Sequence, residues 1–115
     1  MPDKFGDKIR LEHALDAVAE LETFMLGVDL DTFLSSTVLR LACVRSLEII
    51  GEAVSHVSKQ LRAEHLDIDW KDIIGLRTII AHEYFGLSYE LIFGIFQDDI
   101  PEFKSKVEKI VRSLA

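Results

Sequence analysis

The sequence predicts an all-α protein, an up-and-down bundle of four to five helices in one domain spanning residues 1–115. Three observations carry that expectation. Apolar residues recur at spacings of three and four along most of the chain, as a helix with one buried face requires. No segment alternates apolar and polar residues at a period of two, so no half-buried strand is written anywhere. Residues that start and stop helices fall between the periodic segments, and neither internal repeats nor low-complexity stretches interrupt them.

Taken in order, Met1–Gly6 reads as a loose terminus. The first helix comes next, on Leu11, Ala14, Leu15, Val18, Leu21 and Met25, and Gly27 is its natural stop. Asp29 and Asp31 can cap a short turn through Phe33, and Ser35 or Ser36 can cap the helix after it. From Thr37 to about Leu61 one long helix is expected, with Leu39, Ala42, Cys43, Ile50, Val54 and Leu61 among its apolar side; Ile49, Ala53 and Val57 belong to the same side. Gly51 in its middle costs about 1 kcal/mol relative to alanine, which a close approach by another helix would explain. Arg62–Ile68 reads as a connection. Asp69 can cap a third helix from Trp70 to about Glu83, carrying Ile73, Ile74, Leu76 and Ile80, with Gly86 breaking the pattern. Ser88 can cap the next helix, with Leu91, Ile92, Ile95 and Phe96 inward and Glu90 supporting its start. Asp99 and Pro101 open a last helix through Leu114, buried on Phe103, Val107, Ile110 and Val111.

Composition narrows the function. At 49% hydrophobic residues the chain can pack a core. Its single cysteine, Cys43, excludes an intrachain disulfide and sits in the apolar pattern of the long helix, where it packs as a small hydrophobe. Neither a signal peptide nor a membrane span is present in the pattern, so a soluble, cytoplasmic protein that does not engage a membrane is expected. The net charge of −7 and pI near 5.0 argue against broad non-specific binding to a nucleic-acid backbone. Any RNA contact must therefore be local, while a basic protein partner or plain solubility would suit the acidic surface. Four histidines without paired spacing and one cysteine give no metal site, and no phosphate loop or dinucleotide fingerprint exists, so no cofactor is expected.

One stretch concentrates chemistry. In Arg77-Thr78-Ile79-Ile80-Ala81-His82-Glu83-Tyr84 a fixed cation, a group that titrates near neutrality and a phenol fall within eight positions. Arginine offers a planar fork to phosphate oxygens, histidine can move a proton near pH 7, and tyrosine can donate, stack or be modified. At about 100° per residue Arg77 and Tyr84 fall within roughly 20° of each other, but His82 lies roughly 140° from Arg77. One straight helix cannot aim all three at a point; a helix ending or distorting near Ala81, together with a second copy of the chain, would. On the preceding helix Arg45, Glu48, Glu52, His56 and Lys59 form a polar stripe, with Arg45 near Glu48 and Glu52 near His56. That stripe reads either as a solvated face or as the lining of a cleft.

Arg77, His82 and Tyr84 match the arginine, four-to-six residues, histidine, any residue, tyrosine signature of the HEPN superfamily, and the surroundings resemble the HepT-like toxins, partners of minimal nucleotidyltransferase antitoxins. Ser46-Leu47-Glu48-Ile49-Ile50-Gly51-Glu52-Ala53, Trp70, Glu83-Tyr84-Phe85-Gly86 and Asp98-Asp99-Ile100-Pro101 share in the resemblance, which runs from Leu11 to Val111. It departs at Thr78, where many HEPN ribonucleases carry asparagine or another strongly polar residue. The resemblance implies a homodimeric, metal-independent endoribonuclease that leaves a 2′,3′-cyclic phosphate, the toxin of a type VII-like toxin–antitoxin pair. In it His82 would be the acid or base and Arg77 the clamp on the phosphate, with Arg45, Glu48, Glu52 and Thr78 as cleft-lining candidates. Tyr84 would take adenylate from the nucleotidyltransferase; by its chemistry alone it is equally a ring packed at a helix end. The alternative function is a non-catalytic subunit that presents substrate or nucleotide to a nucleotidyltransferase.

Overall fold

A computed structural model describes residues 4–78 and 88–114, and every described element is helical. The first helix, α1 (Lys4–Phe24), begins earlier than the loose terminus expected from the sequence. The reason lies in Asp7, whose buried carboxylate accepts hydrogen bonds from the backbone N–H of Ser58 at 2.8 Å and from its hydroxyl at 2.7 Å. Leu11, Ala14, Val18, Leu21 and Met25 are buried as the periodicity requires. The chain turns at Gly27, whose φ of 72° is one that side chains disfavour.

Asp29 caps the short helix α2 (Leu30–Ser35), accepting from the Thr32 N–H at 2.8 Å. That bond holds the Asp29 carboxyl below its ordinary value. Ser36, not Ser35, caps α3 (Thr37–Ser55) through the Leu39 N–H. The long helix expected to reach Leu61 is two helices. It stops at His56, and α4 (Lys59–Glu64) starts afresh from Ser58, whose hydroxyl caps the Leu61 N–H while Asp7 holds it from below. A serine that offers the backbone another partner competes with helix continuation, and here a buried carboxylate settles the competition. Arg62, expected in a connection, is therefore helical.

After a turn, α5 (Trp70–Gly75) runs into a tighter 3₁₀ turn at Leu76–Thr78. Asp69 makes no side-chain cap bond, contrary to expectation. The rest of the third helix as drawn from the sequence, including the distortion sought near Ala81 and the break at Gly86, lies outside the described residues. Ser88 caps α6 (Tyr89–Gly94) as expected, accepting from the Leu91 N–H at 3.1 Å. Then a π-helical turn (Ile95–Asp99) leads into α7 (Ile100–Ser113), which has Pro101 in its first turn and no side-chain cap from Asp99.

α3 is the central element. It packs most extensively on α1, and α5 with its 3₁₀ turn, α2 and α6 also pack against it. α7 closes the bundle over α1, where Lys104 meets Glu22 at 3.1 Å. Two positions expected inside are exposed, Ile49 on α3 and Leu91 on α6; Val44, Leu47 and Phe93 are buried instead. Phe93 meets Phe33 with ring centroids 5.4 Å apart, which turns the Leu91 side of that short helix to solvent. Among the described residues no helix is long and apolar enough to cross a membrane.

Candidate functional site

The site is organised by Gly51. A Cβ added there would lie 2.6 Å from the Arg77 backbone nitrogen, 2.8 Å from the Ile73 carbonyl oxygen and 3.2 Å from that of Ile74. All three are backbone atoms, so a side chain at 51 could not be accommodated by a rotamer change. The sequence anomaly of a glycine in mid-helix thus has a physical cause: α5 is laid directly on α3, and Arg77 is fixed at the point of contact. Leu76 beside it is buried, whereas the Arg77 side chain is exposed. The backbone is thus held while the guanidinium remains accessible.

Thr78 is exposed, and its hydroxyl donates to the Gly75 carbonyl at 2.9 Å, a bond within its own turn. On α3, Glu48 is half-buried and lies one turn before Gly51, on the same flank of the helix. Arg45 and Glu52 are exposed. Glu52 lies 3.0 Å from His56, the pairing expected from their spacing of four. The structure therefore brings the Arg77 backbone against Gly51, one turn from Glu48, while Arg45 and Glu52 are exposed on α3. His82 and Tyr84 lie outside the described residues.

Cys43 is fully buried, and burial pushes its thiol up to about 12, far from the thiolate a nucleophile needs. Among the described residues no group of three or more histidine, cysteine, aspartate or glutamate side chains is placed to hold a metal ion.

Sequence reasoning misses two concavities flanking α5. One, of about 610 Å³, lies between α5 and the start of α7 over Ile73, Leu76 and Phe103, and carries Asp69, Asp72 and Asp99 on its rim. Asp69, through a shared hydrogen bond and then its charge, pushes the Asp72 carboxyl above its ordinary value. The other, of about 490 Å³, lies between α4 and α5. Its signal is present as the three-residue spacing of Lys59 and Arg62, but the sequence pattern runs the first into a continuous long helix and leaves the second in a connection.

The described residues thus form an all-α bundle that seats an exposed arginine against a glycine of its central helix. A family model described as Ribonuclease HepT-like matches residues 14–110, and the chain belongs to that family. It is 40% identical over 102 residues to a protein of Caldanaerobacter subterraneus subsp. tengcongensis named "Putative RNase", covering 89% of this chain and 91% of the relative. A Methanocaldococcus jannaschii protein with the same description is 35% identical over 101 residues, covering 88% and 93%. The Thermococcus cleftensis protein named "Probable ribonuclease HepT" is 31% identical over 107 residues, covering 93% and 97%. No solved structure matches the chain significantly.

Proposed function

We propose that this chain is a ribonuclease of the HEPN type, and that it acts as a metal-independent endoribonuclease whose working site forms where two copies meet. Family membership supports the ribonuclease activity. The observation that carries the site is the seating of the Arg77 backbone on Gly51 with its side chain left exposed. A fixed main chain limits the region that the guanidinium can reach, and its exposed planar fork is free to receive charge that develops on a phosphate. In the reaction an RNA 2′-hydroxyl loses its proton to a base and attacks the adjacent phosphorus; the 5′-oxygen leaves with a proton, giving a 2′,3′-cyclic phosphate. His82 moves the protons and Arg77 stabilises the phosphorane oxygens. A dimer doubles both groups in one groove.

Regulation centres on Tyr84, two residues beyond His82. A nucleotidyltransferase antitoxin transfers adenylate from ATP to its hydroxyl, releasing pyrophosphate, and the added phosphodiester occupies the arginine clamp and repels RNA. The chain is then the toxin of a toxin–antitoxin pair. The test is cleavage of RNA in EDTA by the purified dimer. Arg77→Ala should lower the rate by roughly 10²–10³-fold, and His82→Ala should abolish it with the helical circular dichroism unchanged. Cleavage that survives the His82 substitution removes that residue from the mechanism.

One observation favours a second reading. The Thr78 hydroxyl is engaged with Gly75 instead of being held out beside Arg77. A non-catalytic subunit that presents substrate or nucleotide to a nucleotidyltransferase would show no RNA cleavage alone or in complex, together with tight nucleotide binding.

A further inference from the structure

In a chain with 20 acidic and 13 basic residues, the cleft between α4 and α5 has no carboxylate in its lining. Its charged residues are Lys59, Arg62 and Lys71. Lys59 and Arg62 project from one face of α4 at a spacing of three, continued by Ala63 and by Leu66, which is 81% exposed. Trp70 and Ile74 of α5 form the opposite wall. Trp70 is held in place by its indole N–H, which donates to the His65 carbonyl at 2.9 Å, so this wall is rigid. The Arg62 Nε is buried and has no hydrogen-bond partner among the described residues. None of the ion pairs among the described residues uses any of the three cations. Lys71 stands on the ridge shared with the acidic concavity, within the field of Asp72.

Trp70, Ile74 and Arg77 are set at spacings of four and three along one side of α5 and its 3₁₀ turn. At 1.5 Å per residue, the α5 wall of the cleft runs from about 5 Å (Ile74) to about 10 Å (Trp70) from Arg77 along the helix axis.

We propose that the α4–α5 cleft, bordered by Lys59, Arg62 and Lys71, is a phosphate subsite that holds the backbone of a single RNA strand beside the Arg77 clamp. The inference rests on the ribonuclease reading for its substrate, but its geometry stands apart from the catalytic residues. Phosphate is the chemistry recognised by three clustered cations that form no ion pair among the described residues, and the exposed Leu66 beside them offers an apolar surface to an unstacked base. The subsite also reconciles RNA binding with a net charge of −7: contact is confined to one cation-lined strip while the rest of the surface repels the strand.

The experiment measures binding, not cleavage. A 2′-O-methyl RNA 12-mer, which lacks the attacking hydroxyl, is titrated against the full chain by fluorescence anisotropy across a salt series. The Lys59→Gln/Lys71→Gln double variant changes two exposed residues. It should bind at least tenfold more weakly at low salt, and the slope of log K against log salt should shrink by about 1.4, since each lost single-strand phosphate contact contributes roughly 0.7. Arg62→Gln should weaken binding as well, and Arg62→Lys should restore most of it, with circular dichroism and thermal melting confirming that both remain folded. Unchanged affinity and slope in the double variant overturn the subsite, as does undetectable binding by the parent chain at low salt. Competition by polyglutamate as effective as that by the oligonucleotide overturns it too, in favour of an acidic protein partner. Pocket-dependent binding by a chain that cleaves no RNA leaves the subsite standing and removes the ribonuclease reading; cleavage without pocket-dependent binding does the reverse.

Discussion

The two flanks of α5 carry opposite charge. Toward α4 the lining holds Lys59, Arg62 and Lys71 and no carboxylate; toward α7 it holds Asp67, Asp69, Asp72, Asp99 and Glu102 against Lys71 and Lys106. The acidic flank holds one ion pair of its own. Lys106 pairs with Glu102 at 2.9 Å and donates to the Asp67 carbonyl, and the hydrogen bond to Glu102 raises the Lys106 ammonium above its ordinary value. On the basic flank the Arg62 Nε meets no acceptor among the described residues. A net charge is an average, and a helix only six residues long is enough to separate the surface that repels an anion from the one that would receive it.

Because α5 divides the two flanks and fixes Arg77, unseating it should have the largest effect. Gly51→Ala drives a methyl group into the backbone of Ile73 and Arg77, and we expect a loss of about 3 kcal/mol, at the upper end for overpacking, together with a fall in RNA cleavage. Chemical denaturation measures it; an alanine variant as stable as the parent would mean that α3 and α5 can separate freely. Asp7→Ala reaches the basic flank by removing the acceptor of two Ser58 hydrogen bonds and loosening the start of α4. The expected loss is about 2 kcal/mol, and oligonucleotide affinity should fall with it. Stability lost without any change in affinity would detach the geometry of α4 from binding.

The smallest effect belongs to the acidic flank. Asp72 is raised in the folded chain, so its ionised form is disfavoured there; the penalty is present above the unfolded value of 3.8 and is relieved as the pH falls through the folded value. Asp72→Asn should therefore stabilise the protein slightly at neutral pH, and the gain should vanish once the pH drops below 3.8. Thermal melts of the pair across this range give the sign; a gain that persists in acid would assign it to something other than charge repulsion from Asp69.

Helix existence is readable wherever local signals are strong. The apolar series from Leu11 to Met25, the stop at Gly27 and the Ser36 and Ser88 caps are all properties of a few neighbouring residues, and the structure keeps them. The break at residues 56–58 is hidden because it depends on Asp7, 51 positions from Ser58. Ile49 and Leu91 depart from the apolar pattern for a related reason: on short or centrally packed helices the buried arc is set by which neighbours arrive, and periodicity leaves its phase uncertain by about one residue. Around Arg77, the need for a close approach at Gly51 is legible, as is the pairing of Glu52 with His56. The basic cleft is not, since Lys59, Arg62 and Lys71 belong to two helices that only the turn at residues 65–69 brings face to face.

What the sequence alone determined is the helical class, the family signature and the choice of glycine at position 51, because periodicity, motif spacing and the absence of a side chain are each properties of single residues or their near neighbours. Tertiary structure decided where the long helix breaks, that the Arg77 backbone is the group filling the space above Gly51, and which cations share a cleft. Those depend on contacts between residues far apart in the chain, and no local pattern encodes the distance at which two helices come to rest.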